Sequence, residues 1–404
     1  MERKPLYFAL VLHMHQPRYN LYGPTYESEM ARDVFNQTIH PYTYPSEMLK
    51  RDQNARITLN FTGSLIEQLN ELETVGFDSR LNELWKKYKE TLTLGTAEFT
   101  GCGYFHPIFP LIPEEDRLKQ VEKHLSLFEQ TFGTKPEGFW LPELAFSPKV
   151  IPMLAKKGIK WTIVDGPHIV NANKNEDMYH LLYKPHFAEY DGHRIIVIPR
   201  DRMISIAQQS GYNPVWLRHE IERAIEPNND GEFLLTVATD GENGWFRHSG
   251  ENAGFWGWFF EPLLYLLKKD PEFQFIKLTT ITEYLAQHPP KDTVNVEDGS
   301  WNVPDTFDDG RFLKWTGGEE RQRTWTRVLE SSAVLRETQE KITRRVNCSP
   351  ETNEALDQAW RWQLMAEASD NFWWGSKDWL DRSFVCSLKA REKINEAASL
   401  CGVN

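Results

Sequence analysis

YFALVLHMHQP, residues 7–17, is the stretch that decides how the rest of the chain is read. Tyr7 to His13 is an apolar run without strict in-out alternation, the pattern of a strand buried on both faces in a sheet whose crossovers are helices. The run has a basic start, but histidines interrupt it too early for a spanning helix and no small-residue cleavage site follows. It reads as a first strand. At its carboxyl end His13 and His15, at i and i+2 on an extended segment, point the same way. In a β/α barrel that end of the strands carries the chemistry, so the pair suits metal ligation or hydrogen bonding to a polar substrate.

Runs of the same kind recur outward along the chain: Arg56–Phe61, Thr91–Phe99, Glu137–Leu141, Ile159–Asp165, Arg194–Pro199 and Glu232–Thr239, with Tyr7–His13 making seven. A further run, Phe275–Leu278, is an eighth strand or a short edge. Helical signals lie between them. Leu118, Val121, Leu125, Phe128 and Phe132 recur at three and four within Glu114–Phe132. Ser147 with Pro148, and Asn213 with Pro214, are N-cap devices, the first helix stopping at Gly158. Thr280 and Glu283 have capping-box spacing. From about residue 290 a turn-rich stretch, VEDGSWNVPDTFDDG, precedes helical patterns at Thr324–Arg344, Pro350–Ser369 and Trp379–Ser399. The expected organisation is a catalytic β/α body over 1–290 and a mainly helical domain over 291–404.

Composition narrows the function. The chain has 404 residues with 40% hydrophobic and 26% charged, and its net charge of -12 argues against nucleic-acid partners. No membrane partner is expected. The four cysteines, Cys102, Cys348, Cys386 and Cys401, form no CxxC pair and no dense disulfide frame, so a reducing, cytoplasmic setting is the expectation. No GxGxxG or GxxxxGK[ST] loop supports a nucleotide, and DTFDDG lacks calcium-loop spacing. Tryptophans beside Gly, Asn, Asp and Pro, as in ENGWF and GSWNVPD, suit a wet cleft in which flat rings meet sugar faces.

Two carboxylates stand out. Glu143 follows GFWLP at the junction of a strand and a helix, and Asp240, with Glu242 close behind, follows FLLTVAT. A carboxylate there is costly to bury unless hydrogen-bonded or used. Paired carboxylates are what glycosidic cleavage needs, one attacking the anomeric carbon and one donating a proton to the leaving oxygen. For Glu143 alone, favourable charge at the start of the following helix is an equally simple account. Glu98 and His106, just past the third run, are candidates to support a sugar hydroxyl or a loop.

These segments, HMHQP at 13–17, GTAEFTGCGYFHPI at 95–108, GFWLPELAFS at 138–147 and TDGENGWF at 239–246, resemble glycoside hydrolase family fifty-seven, whose members act on α-glucans. The resemblance implies a (β/α)7 barrel, a distorted TIM-like form, followed by a helical region that completes the cleft. It implies Glu143 as nucleophile and Asp240 as general acid/base of a retaining double displacement. His13, His15, Glu98 and His106 would line the subsite at the bond cut, with Trp140, Trp245 and Trp301 also contacting an α-glucan or malto-oligosaccharide. No cofactor and no metal is implied, and the oligomeric state is left open. Phe105 stands where many members have Tyr, and Cys102 also departs from the common pattern. Three alternatives stay open: 4-α-glucanotransfer by the same carboxylates, a metal-dependent deacetylase- or mannosidase-like barrel with His13 and His15 on zinc but no obvious third ligand, and a non-catalytic glycan binder.

Overall fold

The first strand organises the molecule. In the computed structural model, which describes residues 3–242, 254–301, 312–345 and 348–403, β1 spans Leu6–Met14 and is buried along almost its whole length. It pairs in parallel with β2 (Ile57–Phe61) through Val11–Met14, and with β8 (Leu234–Asp240) through Tyr7–His13. The short β9 (Ile276–Leu278) takes Leu6–Phe8. Since β8 occupies one edge of β1, β9 and β2 share the other, so the sheet splays toward the amino ends of its strands. β3 (Ala97–Thr100) extends β2.

A second sheet holds β4 (Gly138–Phe139), β5 (Trp161–Asp165), β7 (His193–Arg200) and β6 (His186–Tyr190), all parallel except the hairpin partner β6. The sheets join at one edge through a parallel bridge between Gly101 and Phe139. At the other edge the Asp201 amide donates to the Thr236 carbonyl at 2.9 Å. The ends of β1, β4 and β8 thereby come to one region.

The runs read from sequence fall on β1 to β5, β7 and β8, and Phe275–Leu278 is the short edge β9. Two features differ. Thr91–Thr93 closes the helix Leu84–Thr93, and Gly95 at φ +71° turns the chain, so β3 begins only at Ala97. β6 was not anticipated; its turn places Asp191 and Gly192 at φ 48° and 72°, the left-handed pair a two-residue hairpin demands.

The C-terminal segment forms the helices Glu319–Thr343, Pro350–Ala366, Ser369–Trp373 and Lys377–Leu400. Ser349 caps the second, its hydroxyl accepting from the Thr352 amide at 3.4 Å. Their buried Trp325, Leu364 and Phe372 belong to one apolar cluster with Phe109, Phe139 and Phe146 of the β/α body. A disulfide between Cys348 and Cys401, Cα atoms 5.0 Å apart, ties the start of the second helix to the end of the last. Widely spaced cysteines had pointed to reduced thiols throughout, and spacing along the chain does not reveal that an antiparallel helix pair returns 401 to 348. Among the described residues no helix is long and apolar enough to cross a membrane.

Candidate active site

The site is built from strand ends. Asn60, opposite His13 on β2, donates its amide to the Thr100 hydroxyl at 3.0 Å and to the Gly101 carbonyl at 3.2 Å, which turns its Oδ1 toward His13. His13 Nδ1 lies 2.7 Å from that oxygen and therefore carries the proton. Its Nε2, left as an acceptor, meets His106 Nε2 at 2.9 Å, and His106 Nδ1 meets the Ser369 hydroxyl at 2.7 Å. The chain of donors then runs from Ser369 through His106 and His13 to Asn60, with both rings neutral. Burial, followed by the neighbouring His15, pushes the pKa of His13 well below the ordinary histidine value; burial, then His15 and His13, does the same to His106.

His15 stacks on His106 with centroids 3.8 Å apart. Its Nδ1 accepts from Thr62 at 2.9 Å and its Nε2 donates to Asp370 Oδ2 at 2.9 Å. The helical segment thus supplies Ser369 and Asp370 to histidines of the β/α body, and the Ser369 amide bonds the His106 carbonyl at 2.9 Å. Ligand atoms of His15, His106 and Asp370 lie within 4.8 Å of one another. Where sequence suggested His13 and His15 as a metal pair, the geometry groups His15 with His106 and Asp370 and turns His13 to Asn60.

Glu143 has φ 59° and ψ 16°, and Leu144 follows at φ 47°. A left-handed backbone at consecutive non-glycine residues costs of order 1–3 kcal/mol each and persists only where neighbours enforce it. Here Trp301 does so: its amide bonds the Glu143 carbonyl at 3.1 Å and its indole N–H donates to Glu143 Oε2 at 2.8 Å. Glu143 is only partly buried. Trp140, fully buried, stacks on His13 at 4.7 Å and meets Trp301 edge-on at 5.2 Å. It backs the histidines rather than facing open space. The buried Arg200, paired with Asp165 at 2.8 Å, sets its guanidinium 5.4 Å from the Trp301 ring.

Asp240 ends β8 directly beside His13 and is likewise partly buried. The next residue, Gly241, lies close under Met14, where an added Cβ would stand 2.2 Å from Met14 Sδ and displace that side chain. Glu242 then turns inward, accepting from Tyr42 at 2.7 Å and from the His15 amide at 3.0 Å. Burial raises its pKa to about 7 despite those donors. Glu242 is thus a positioning group behind the His15 loop.

Glu98 is placed elsewhere. It sits two positions before the Asn60 level of the sheet, where it accepts from Thr58 at 3.1 Å and from the Ile281 amide at 3.1 Å. Burial raises its pKa to about 6. It caps the helix Ile281–Gln287 from one pleat below the Asn60 level, on the same face of the sheet, so the residue expected beside the histidines is not brought into their cluster. Trp245 lies outside the described residues. Asn60, Ser369 and Asp370 were missed; nothing local marks them, since each acquires its role only through pairing across the fold.

With this geometry in view, the family follows. Residues 9–297 match the sequence profile of Glycosyl hydrolase family 57, and the chain belongs to that family. It is 26% identical over 316 residues to the 4-alpha-glucanotransferase of Thermococcus litoralis, covering 75% of this chain and 43% of that protein. It is 25% identical over 311 residues to the alpha-amylase of Pyrococcus abyssi, covering 74% and 42%. The chain thus spans about two fifths of the length of these curated relatives. The solved exo-type maltose-forming amylase of Pyrococcus sp. ST04 superposes with a TM-score of 0.74 at 14% identity, over 98% of this chain and 80% of that one, a likeness of fold. The architecture resembles the amylase-like α/β barrel of these proteins.

Proposed function

We propose that the protein is a retaining glycoside hydrolase acting on α-1,4-linked glucans, with Glu143 as nucleophile and Asp240 as general acid/base. The observation that carries this reading is the strained Glu143, held by Trp301 at the end of β4 with its carboxylate partly accessible. In the first step Glu143 attacks the anomeric carbon while Asp240 gives its proton to the leaving oxygen, forming a glycosyl-enzyme. Asp240 then deprotonates the incoming acceptor, which attacks the same carbon and releases Glu143. His13 and His106, whose ring nitrogens are taken up in the chain from Ser369 to Asn60, form a neutral floor under the subsite in this reading and add no charge beside the nucleophile. Residues 291–404 complete the cleft in this reading, contributing Ser369 and Asp370.

If the acceptor is a glucan hydroxyl rather than water, the same pair performs 4-α-glucanotransfer, a reading favoured by the match to the Thermococcus litoralis enzyme. A time course with maltoheptaose distinguishes them. Shorter products alone mean hydrolysis, and longer products beside them mean transfer. Glu143→Gln is expected to lower turnover by at least about 1,000-fold, a loss of ~4 kcal/mol in transition-state stabilisation, with the melting temperature little changed. Full activity in that variant removes the nucleophile assignment.

A further inference from the structure

A second group of imidazoles surrounds one carboxylate away from the candidate active site. His180 lies on the helix Met178–Tyr183, His186 opens β6, and Asp292 stands on the segment that follows Pro289 and Pro290. Asp292 Oδ1 is 2.7 Å from His186 Nδ1, and Oδ2 is 2.7 Å from His180 Nε2. The His186 side chain is fully buried, whereas those of His180 and Asp292 are 36% and 34% exposed. Ligand atoms of the three residues all lie within 4.8 Å of one another.

The two nitrogens of His186 are the telling feature. Its Nε2 lies 3.3 Å from the Leu181 carbonyl, while its Nδ1 faces the carboxylate that it shares with His180, so one ring nitrogen is engaged by the backbone and the other turns into the three-residue cluster. Metal-ligating histidines characteristically donate their other ring N–H to a backbone carbonyl, as His186 does to Leu181.

We propose that His180, His186 and Asp292 form a binding site for a divalent transition-metal ion of the zinc class, with two imidazole nitrogens and a carboxylate as ligands and the exposed side open to water. The backbone already holds the third ligand in place: the Phe187 amide bonds the Asp292 carbonyl at 2.9 Å and the Val294 amide bonds the Phe187 carbonyl at 2.8 Å. From there the segment is tied at each step, through Asn295 to Asn173, Glu297 to His168 and Gly299 to Phe146, until it reaches Trp301 on Glu143. The ion clamps the near end of a strap whose far end holds the candidate nucleophile.

The test uses the full chain, stripped with chelator and then equilibrated with Zn2+ at a pH above the histidine range. One equivalent is expected to bind, and His180→Ala with Asp292→Asn is expected to weaken it by at least about 100-fold, whereas His15→Ala leaves it unchanged. The expected loss corresponds to ~2.7 kcal/mol. Co2+ substitution in the unmodified protein is independent of whether the variants fold, and is expected to give the visible absorption of a low-coordinate nitrogen/oxygen site. No retained Zn2+, no Co2+ band, equal binding by the double variant, or loss of binding in His15→Ala would each overturn the proposal.

Discussion

At the residue scale, the candidate nucleophile is shaped more by its neighbour than by its own segment. Trp301 lies 158 positions further along the chain, yet supplies both the backbone bond that holds the left-handed turn and the indole donor on the carboxylate. Charge-assisted hydrogen bonds of this kind contribute ~1.5–3 kcal/mol. Trp301→Phe keeps an aromatic ring and the backbone bond but removes the indole donor. It is expected to lower kcat on maltoheptaose by about 10- to 100-fold, with a smaller change in KM, because the lost contact orients a reacting group. Steady-state kinetics read this directly, and an unchanged kcat would show that Glu143 holds its position without the indole. His13, His15, Glu143 and Asp240 were legible in the sequence because each sits at a strand end and strand ends are local signals. Glu98 carries the same kind of signal but stands two positions early, one pleat further down the same face, where it meets the helix Ile281–Gln287 instead of the histidines. Ser369 and Asp370 sit in a helical stretch, where a Ser-Asp pair reads as an ordinary helix start.

At the element scale, the helix Glu114–Phe132 was read correctly from its apolar spacing, but four of its buried positions, Asp116, Gln120, His124 and Thr131, are polar. His124 is fully buried, and neither ring nitrogen has a hydrogen-bond partner among the described residues. Burial lowers its pKa to about 3. The sign follows from linkage. Below the ordinary value of 6.5 the unfolded chain takes up a proton that the folded chain refuses, so stability contributed by neutral His124 is lost as pH falls from 6.5 toward 3. The slope approaches ~1.4 kcal/mol per pH unit for one such group. His124→Phe, beside Phe128, is expected to remove this slope, so that its melting temperature gains on the parent as pH falls from neutrality to 5. A constant difference across that range would mean that His124 takes up its proton as readily in the folded chain as in the unfolded one. The other element-level surprise, β6, has the same local origin as a correct reading elsewhere: Asp191-Gly192 is a hairpin signal, but HFAEY lacks the apolar density of the strands buried on both faces.

At the scale of the whole molecule, the chemistry changes near residue 290 while the core does not. Sequence reads that change as a boundary, because composition and periodicity report what a segment forms and not what it packs against. In the folded chain the apolar cluster holding Phe109, Phe139 and Phe146 also holds Trp315, Trp325 and Phe372. Polar pairs cross the same line, two of them buried, Asp116 with Ser332 and Gln120 with the Leu364 carbonyl at 3.0 Å, and one half-buried, Glu67 with Arg361. Ending the chain at 290 would remove these bonds and expose the apolar face beneath them, and a folded domain has only ~5–15 kcal/mol of stability in total to set against that loss. A chain of residues 1–290 is therefore expected to lose cooperative unfolding and bind hydrophobic dye, even though it retains Glu143, Asp240 and nearly all of the segment that matches the family. Near-ultraviolet circular dichroism with thermal melts measures this. A cooperative transition near that of the full chain would mean that the shared cluster is dispensable and that the boundary read from sequence is also a boundary in stability.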